Sequence, residues 1–382
     1  MILTTCAACA APLAHDAPRC VWCKTRYCNA TCQHDHWRRG HKQICKRIHR
    51  GGNAEQYHAD NKYKEAIAVA VEECADDTKG QTCYICTEAL HWKTKEGLVR
   101  GCSCRGTAGF AHVSCLAEQA KILLAEAEEN NLDNKALNEK WVRWHTCGLC
   151  EQRYHGIVFC ALGWACWKSY VGRLEGHQTQ MSAMSLLGNG LSSAKKHTDA
   201  LSVQEAEMSM RRRFGASEQS ILAVKGNLAS SYEELGRKEQ ALRMRQEVYS
   251  GNLKINGEEN RGTIIAAQAY VHSLFDRRRF AEVKSLLHKN IPLARRALGD
   301  NDGYTLRTRW LYAIALYSSD GAALDDLREA VTTLESVASS WKRVFGISHP
   351  ETPYVQDALK EAREALARAR ATSGQVPGSA PA

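Results

Sequence analysis

Four closely spaced pairs of metal-binding side chains lie between residues 83 and 150: Cys83-x2-Cys86, Cys102-x-Cys104, His112-x2-Cys115 and Cys147-x2-Cys150. Tetrahedral zinc takes four soft or borderline ligands, and one tight turn supplies two of them when they sit two or three residues apart. Seven cysteines and one histidine therefore predict two zinc ions. A second set of eight occupies the first fifty residues: Cys6-x2-Cys9, Cys20-x2-Cys23, Cys28-x3-Cys32 and His41-x3-Cys45. So short a segment buries too little apolar surface to fold without a staple, and metal binding there would supply folding energy. Four zinc ions per chain are expected.

Composition sets the frame around these clusters. A chain of 382 residues that is 44% hydrophobic has room for two or three folded domains. It holds seventeen cysteines, of which Cys74, Cys160 and Cys166 fall outside the paired spacings and read as small buried hydrophobes. The first residues lack the basic region and apolar core of a signal peptide, so reduced thiols in the cytoplasm or nucleus are expected. The most apolar run, from Gly156 to Val171, is interrupted by Lys168 and is shorter than the ~20 residues of a spanning helix. A soluble protein without a membrane partner is the expectation.

The run from Arg19 to Cys45, RCVWCKTRYCNATCQHDHWRRGHKQIC, resembles the MYND zinc finger at every ligand position, at Tyr27, Gln33 and Trp37, and at the His41-Lys42 pair. The resemblance implies interleaved sites, with Cys6, Cys9, Cys28 and Cys32 on one zinc and Cys20, Cys23, His41 and Cys45 on the other. It also implies a proline-containing peptide as partner, held in a groove lined by Gln33 and Trp37; the alternative is that Trp37 only packs on the zinc core. Nine Lys and Arg from Arg19 to Arg50 face only Asp16 and Asp35. With no aromatic-rich reading platform beside it, this charge reads as a solvated face, and nucleic acid is not expected as a partner. His15, His34, His36 and His49 read as surface residues.

The inner spacings identify the second cluster. A plant-homeodomain finger has the same ligand order but a wider second pair and a shorter gap to the histidine. Here Ser103 alone separates Cys102 from Cys104, and seven residues precede His112. Together with GCSCRGTAGFAHVSCL from Gly101 to Leu116, this resembles the RING-CH variant of the RING finger. The resemblance implies a cross-brace, with Cys83, Cys86, His112 and Cys115 on one zinc and Cys102, Cys104, Cys147 and Cys150 on the other. It further implies ubiquitin ligase activity by positioning, in which a shallow apolar groove docks a ubiquitin-conjugating enzyme and no catalytic residue acts. Ile85 and Leu116 match the groove positions and Leu149 would complete it; the alternative is that all three are local core. Two departures stand out: the long gap from Cys115 to Cys147, and Glu151-Gln152 after the last ligand, where active RING ligases often carry a basic residue.

The remaining elements are helical. Residues 51–80 read as a helical linker with Tyr63, Ile67, Ala70 or Val71, and Cys74 at helical spacing. Residues 156–194 read as connecting helices, the first amphipathic and packing the finger on its C-terminal neighbours, with Gly188 and Gly190 as a break. From 195 to 370 the chain repeats, and Gly215, Gly257, Gly299 and Gly346 recur at intervals of 42, 42 and 47 residues. Such a period with two amphipathic helices per unit signals an α-solenoid. The small and aromatic residues of NLASSYEELGRKEQA and its counterparts resemble the tetratricopeptide repeat in its kinesin-light-chain-like form. That implies a concave groove for a peptide or helix of a partner protein. Arg211 to Arg213 and Arg277 to Arg279 read either as groove cations or as exposed helix ends. Residues 371–382 are low in complexity and read as a disordered tail.

The fold class is thus mainly α: two small cross-brace zinc modules, residues 1–50 and 81–155, followed by an α-solenoid of helical hairpin repeats. The leading function is a soluble RING-type ubiquitin ligase or ligase subunit that recruits partners through the MYND finger and the repeats. The alternatives are a non-catalytic zinc-finger scaffold for protein–protein interaction and, behind it, a chromatin or nucleic-acid adaptor using the net charge of +9. Nothing resembles the SET domain that a methyltransferase reading requires.

Overall fold

The structure, a computed structural model, describes residues 5–11, 13, 16–346, 349 and 351–373. Among them the secondary structure is helical, and the extended chain forms isolated antiparallel bridges, among them Arg19 with Arg26, Val99 with Ala111 and Thr146 with Arg153. The chain divides into two units, Met1–Leu235 and Gly236–Ala382.

In the first unit α1 (Ala30–His36) and α2 (Lys42–Arg50) are joined by a π-turn that Gly40 kinks at φ 123°. Asn53 then caps α3 (Ala54–Glu73), whose Ala59, Tyr63, Ala66, Ile67 and Ala70 are buried at helical spacing. This segment packs along α6 (Gly156–Tyr170). Between them come α4 (Val113–Glu129), α5 (Asn134–Trp141) and a short 3-10 turn, Val142–Trp144, which fill the long gap before Cys147. Trp144 is fully buried and meets the Tyr170 ring edge-on at 5.8 Å, so the insertion returns to the core and delivers the last ligand pair.

The expectation of an amphipathic α6 is corrected. Val158 and the run from Cys160 to Trp167 are all buried, as expected of a helix apolar on every side that lies inside a core. Gly188 and Gly190 do not break a helix either. Both lie within α7 (Gln178–Ser193), where a Cβ on Gly190 would meet the Phe159 carbonyl oxygen at 2.8 Å. On α6, a Cβ on Gly163 would come 3.1 Å from the Leu187 backbone. The glycines let α6 and α7 cross closely, and α8 (His197–Arg213) and α9 (Glu218–Glu234) stack on from there. Helices α8 and α9 thus lie within the unit Met1–Leu235.

The second unit contains α10 (Lys238–Asn256), α11 (Arg261–Phe275), α12 (Phe280–Leu298), α13 (Gly303–Ser318), α14 (Leu324–Phe345) and α15 (Thr352–Ser373). Each packs on its sequence neighbours, and α13 also meets both α11 and α15, which is the packing of stacked hairpins. The recurring Gly257, Gly299 and Gly346 end α10, α12 and α14 with φ between 79° and 92°, a conformation that costs a side chain and suits glycine. Asn260 and Asp302 then cap the next helices. Lys284–Asp326 and Arg307–Glu351 join positions 42 and 44 residues apart, one repeat to the next. Helix α15 continues to Ser373, three residues into the expected tail, and the rest of that tail lies outside the described residues, as does His15.

Four members of the arginine runs form ion pairs within the fold. Arg211 is buried with Glu207 at 2.7 Å and also bonds Ser185 and Ser220, while Glu207 accepts from Ser185. Burial raises the Glu207 carboxyl above its ordinary value and Arg211 opposes that rise. Arg213, Arg277 and Arg279 pair with Glu175, Glu239 and Glu282. Arg211→Ala leaves a buried carboxylate without its cation and is expected to cost about 3–5 kcal/mol. Arg279→Ala, at a largely exposed pair, is expected to cost no more than about 1 kcal/mol. Equilibrium urea unfolding followed by helical circular dichroism measures both.

Candidate metal centres

Each Cys-x2-Cys pair is built by one backbone device. In the turns beginning at Cys6, Cys20, Cys83 and Cys147, the carbonyls of Ala11, Thr25, Glu88 and Gln152 accept from the N–H of the first cysteine. The carbonyl of that cysteine accepts from Ala10, Lys24, Thr87 and Glu151 respectively. Those four residues all take positive φ, 60°, 63°, 63° and 55°. The turn aims both thiols at one point; Val21, Trp22 and Leu149 between such cysteines are exposed, whereas Tyr84 and Ile85 pack partly against the core. In three of the turns the N–H of the second intervening residue, Ala8, Ile85 or Leu149, donates to the first Sγ at 3.4 Å.

The donors converge in four groups: Cys6, Cys9, Cys28 and Cys32; Cys20, Cys23, His41 and Cys45; Cys83, Cys86, His112 and Cys115; and Cys102, Cys104, Cys147 and Cys150. Within each, all ligand atoms lie within 4.8 Å of one another. Zinc–sulfur bonds of about 2.3 Å at tetrahedral angles imply S···S edges of about 3.8 Å and S···N edges of about 3.6 Å. The observed Sγ···Sγ distances are 3.8 Å for Cys9–Cys32 and Cys104–Cys147, 3.7 Å for Cys20–Cys45 and 3.4 Å for Cys9–Cys28. His41 Nε2 lies 3.3 Å from Cys23, and His112 Nδ1 lies 3.4 and 3.5 Å from Cys86 and Cys115. These spacings are far above a disulfide bond, and every cysteine is free.

Electrostatics agrees with a cation at each centre. Hydrogen bonds to Cys9 and Cys6 push the Cys28 thiol up to about 12, and burial with bonds to Cys20 and Cys23 pushes Cys45 to about 12. Burial opposes ionisation of Cys6, but N–H donors from Ala8 and Cys28 bring it down to about 6. Crowded thiols thus resist a second ionisation that a divalent ion would relieve. Burial lowers both His41 and His112, which favours the neutral imidazole a metal requires. The other ring nitrogen of His112 faces the Ala89 carbonyl at 3.3 Å, the kind of contact that fixes a ligand imidazole. The four groups are consistent with four zinc ions, which when bound would supply the cross-links that hold these turns together.

Residues 83–131 match the RING-variant domain. The match ends before Cys147 and Cys150, the pair that the inserted helices carry back to Cys102 and Cys104. No curated protein matches the chain. Among solved structures it is similar to kinesin light chain TPR-like repeats from Podosopora anserina, at 14% identity over 61% of this chain and 97% of that one, with a TM-score of 0.41. It is also similar to BtubC (BKLC) from P. vanneervenii, at 10% identity over 71% and 92%, with a TM-score of 0.38.

The RING-variant module carries a groove of about 390 Å³ lined by Ile85, His91, Trp92, Ser114, Cys115, Glu118, Gln119, Ile122 and Leu123. Ile85 is half-buried there. Leu116 is corrected: it is 5% exposed and packs in the core with Ala117, Ala120 and Leu124. On α4 the groove face is Cys115, Glu118, Gln119, Ile122 and Leu123, while Leu116 turns to the adjoining buried stripe with Ala120 and Leu124. Ile122 is 48% exposed on the groove side. Leu149 is exposed on its knuckle but does not line this groove. In the N-terminal module Trp37 is exposed and Gln33 half-buried.

Sequence reasoning missed a fifth turn of the same shape without cysteines. His91 N–H bonds the Glu96 carbonyl, Lys95 N–H bonds the His91 carbonyl, and Lys95 has φ 58°. His91 Nδ1 accepts from the Thr94 amide at 3.1 Å, and Glu96 accepts from the Ser114 amide and hydroxyl at 2.7 and 2.8 Å. Glu96 thereby anchors the start of α4, and the turn holds Trp92 outward, 67% exposed, at the groove rim. The spacing of five residues between His91 and Glu96 carried no metal signal by which to find it.

A chromophoric zinc assay on the denatured protein is expected to release four ions per chain. Gly109 has φ 84°, and a Cβ there would lie 2.6 Å from Cys104 Cβ and 2.9 Å from its Sγ. Gly109→Ala is expected to lower the zinc count by one.

Proposed function

We propose that this zinc-finger and helical-repeat protein is a RING-type ubiquitin ligase or ligase subunit. The carrying observation is the Ile85, Trp92 and Ile122 groove, set beside the Cys115 ligand within residues that match the RING-variant domain. The Cys83–Cys86 turn, the hydrogen-bonded turn at His91 and the start of α4 form its walls, so a ubiquitin-conjugating enzyme seated there would meet a preformed surface. The chemistry is positioning: the protein holds the loaded thioester where a substrate lysine attacks, and contributes no nucleophile or base. The sixteen cysteines and histidines named above are proposed as zinc ligands. Residues 6–45 are proposed as a MYND finger whose Trp37 and Gln33 contact a proline-containing peptide, and the helical repeats as a further protein-binding surface. No helix among the described residues is long and apolar enough to cross a membrane. Free thiols at every ligand position fit a reducing compartment, the cytoplasm or nucleus.

Glu151, following the last ligand with φ 55°, favours the second reading, a non-catalytic scaffold. An assay with activating enzyme, a panel of conjugating enzymes, ubiquitin and ATP separates the two. Ubiquitin chains are expected from the wild type, and Ile85→Ala is expected to reduce their rate at least about tenfold, the loss of a central apolar contact, with zinc content unchanged. No chains from any conjugating enzyme, with all zinc retained, would leave the scaffold.

A further inference from the structure

The positive excess of the chain is concentrated in one place. Arg19 to Arg50 contains nine Lys and Arg against Asp35, so this segment accounts for eight of the nine net positive charges. The helical repeats pair many of their cations, as at Arg261–Asp302, Lys284–Asp326 and Arg307–Glu351. Among the described residues no carboxylate pairs with Arg38, Arg39, Lys42, Lys46, Arg47 or Arg50. Asp35 offers Arg39 only its backbone carbonyl at 3.4 Å.

Helix α2 sorts these charges by face. Cys45 and Ile48 are buried, while Lys42, Lys46 and Arg50 are exposed at i, i+4 and i+8 and form a single row with Arg47 beside it. Zinc bound to four thiolates or to three leaves net negative charge at the centre of the module, and the exposed cations outnumber it. Two exposed tryptophans bracket the row. Trp37, 42% exposed, precedes α2, and Trp22, 64% exposed, meets the His49 ring edge-on at 5.9 Å near its end. The His49 ring also bonds the Trp22 carbonyl at 2.9 Å and ties that turn to the helix.

We infer that the exposed face of α2 is a docking surface for an acidic, extended polypeptide segment of a partner protein. Alternate side chains of an extended chain lie about 6.7 Å apart, close to the roughly 6 Å between side chains four apart on a helix. Carboxylates at every second position therefore meet Lys42, Lys46 and Arg50 in register, and apolar residues at either end meet the tryptophans. The row spans about 12 Å and offers three or four cations. Three or four carboxylates of one short segment neutralise such a row, and among the described residues no stacking platform for bases runs along it, so a peptide is the occupant. The inference depends neither on ligase activity nor on a proline contact at Gln33 and Trp37.

Fluorescence anisotropy of the full-length, zinc-loaded chain tests it with three labelled probes: a peptide of alternating glutamate and serine, a neutral proline-rich peptide and oligouridylate of matched charge. Lys42→Gln/Lys46→Gln/Arg50→Gln is expected to weaken the acidic peptide about tenfold and to leave zinc content, helicity and the neutral probe unchanged. Lys289→Glu, an exposed charge change in the repeats, is expected to leave acidic-peptide binding unaltered. Equal binding by the triple variant, an equal loss from Lys289→Glu, or tighter binding of oligouridylate than of the acidic peptide overturns the inference. If the triple variant loses zinc, the single variants Lys42→Gln and Lys46→Gln decide by whether their losses are graded.

Discussion

Thiols held within a few ångströms of one another do not ionise together unless a cation sits among them, and much of the first unit is organised around that constraint. Four turns with one backbone pattern place their donors at the edges of tetrahedra. Each turn requires a residue at positive φ directly after the second cysteine, a strained position for Ala10, Lys24, Thr87 and Glu151. The metal bonds are strong enough to offset that strain, and at Val21, Trp22 and Leu149 the same turns leave intervening side chains exposed. Structural support and exposed apolar surface thus come from one local geometry.

The two zinc modules are embedded to different degrees. Residues 6–54 hold a small cluster of their own around Tyr27, Cys45, Ile48 and Ala54. The RING-variant module instead shares a continuous core with α3, α6 and α7, in which Phe110, Leu116, Trp144 and Leu162 are buried together. Helix α6 is the beam of that core. Its glycine contacts with α7 set the start of the helical stack, so the RING-variant groove is held on a rigid support rather than on a tethered finger. A binding surface held by packed helices keeps its geometry better than one on a loop.

The helical repeats are governed by packing between neighbours. Small residues such as Ala267, Ala313 and Ala315 are buried where helices cross, and glycine ends every second helix so that the next one reverses. Ion pairs one repeat apart lie on the surface and add register more than stability. The buried Arg211–Glu207 pair differs, since its desolvation is compensated only when Ser185 and Ser220 also take part.

Much of this was legible in the chain because its signals are local. Ligand spacing within a turn, the glycine recurrence and the apolar stripe of α3 each depend on residues a few positions apart or on a simple period, and they pointed to metal, hairpin repeats and a helix after Gly52. Spacing alone left open which pairs share an ion; that came from family resemblance, and the structure brings those same residues together across up to 48 positions between Cys102 and Cys150. What only the tertiary structure decided concerns burial. Leu116 and Ile122 are both apolar residues of one helix, and which faces solvent depends on how α4 rests against α6. The apolar run at 156–170 has no amphipathic period to read, so its place at the centre rather than at an edge emerged only from the helices packed around it. The turn at His91 and Glu96 uses hydrogen bonds where its siblings use metal. Cysteine pairs announce themselves by type and spacing, whereas a polar network is recognised only once its members meet in space.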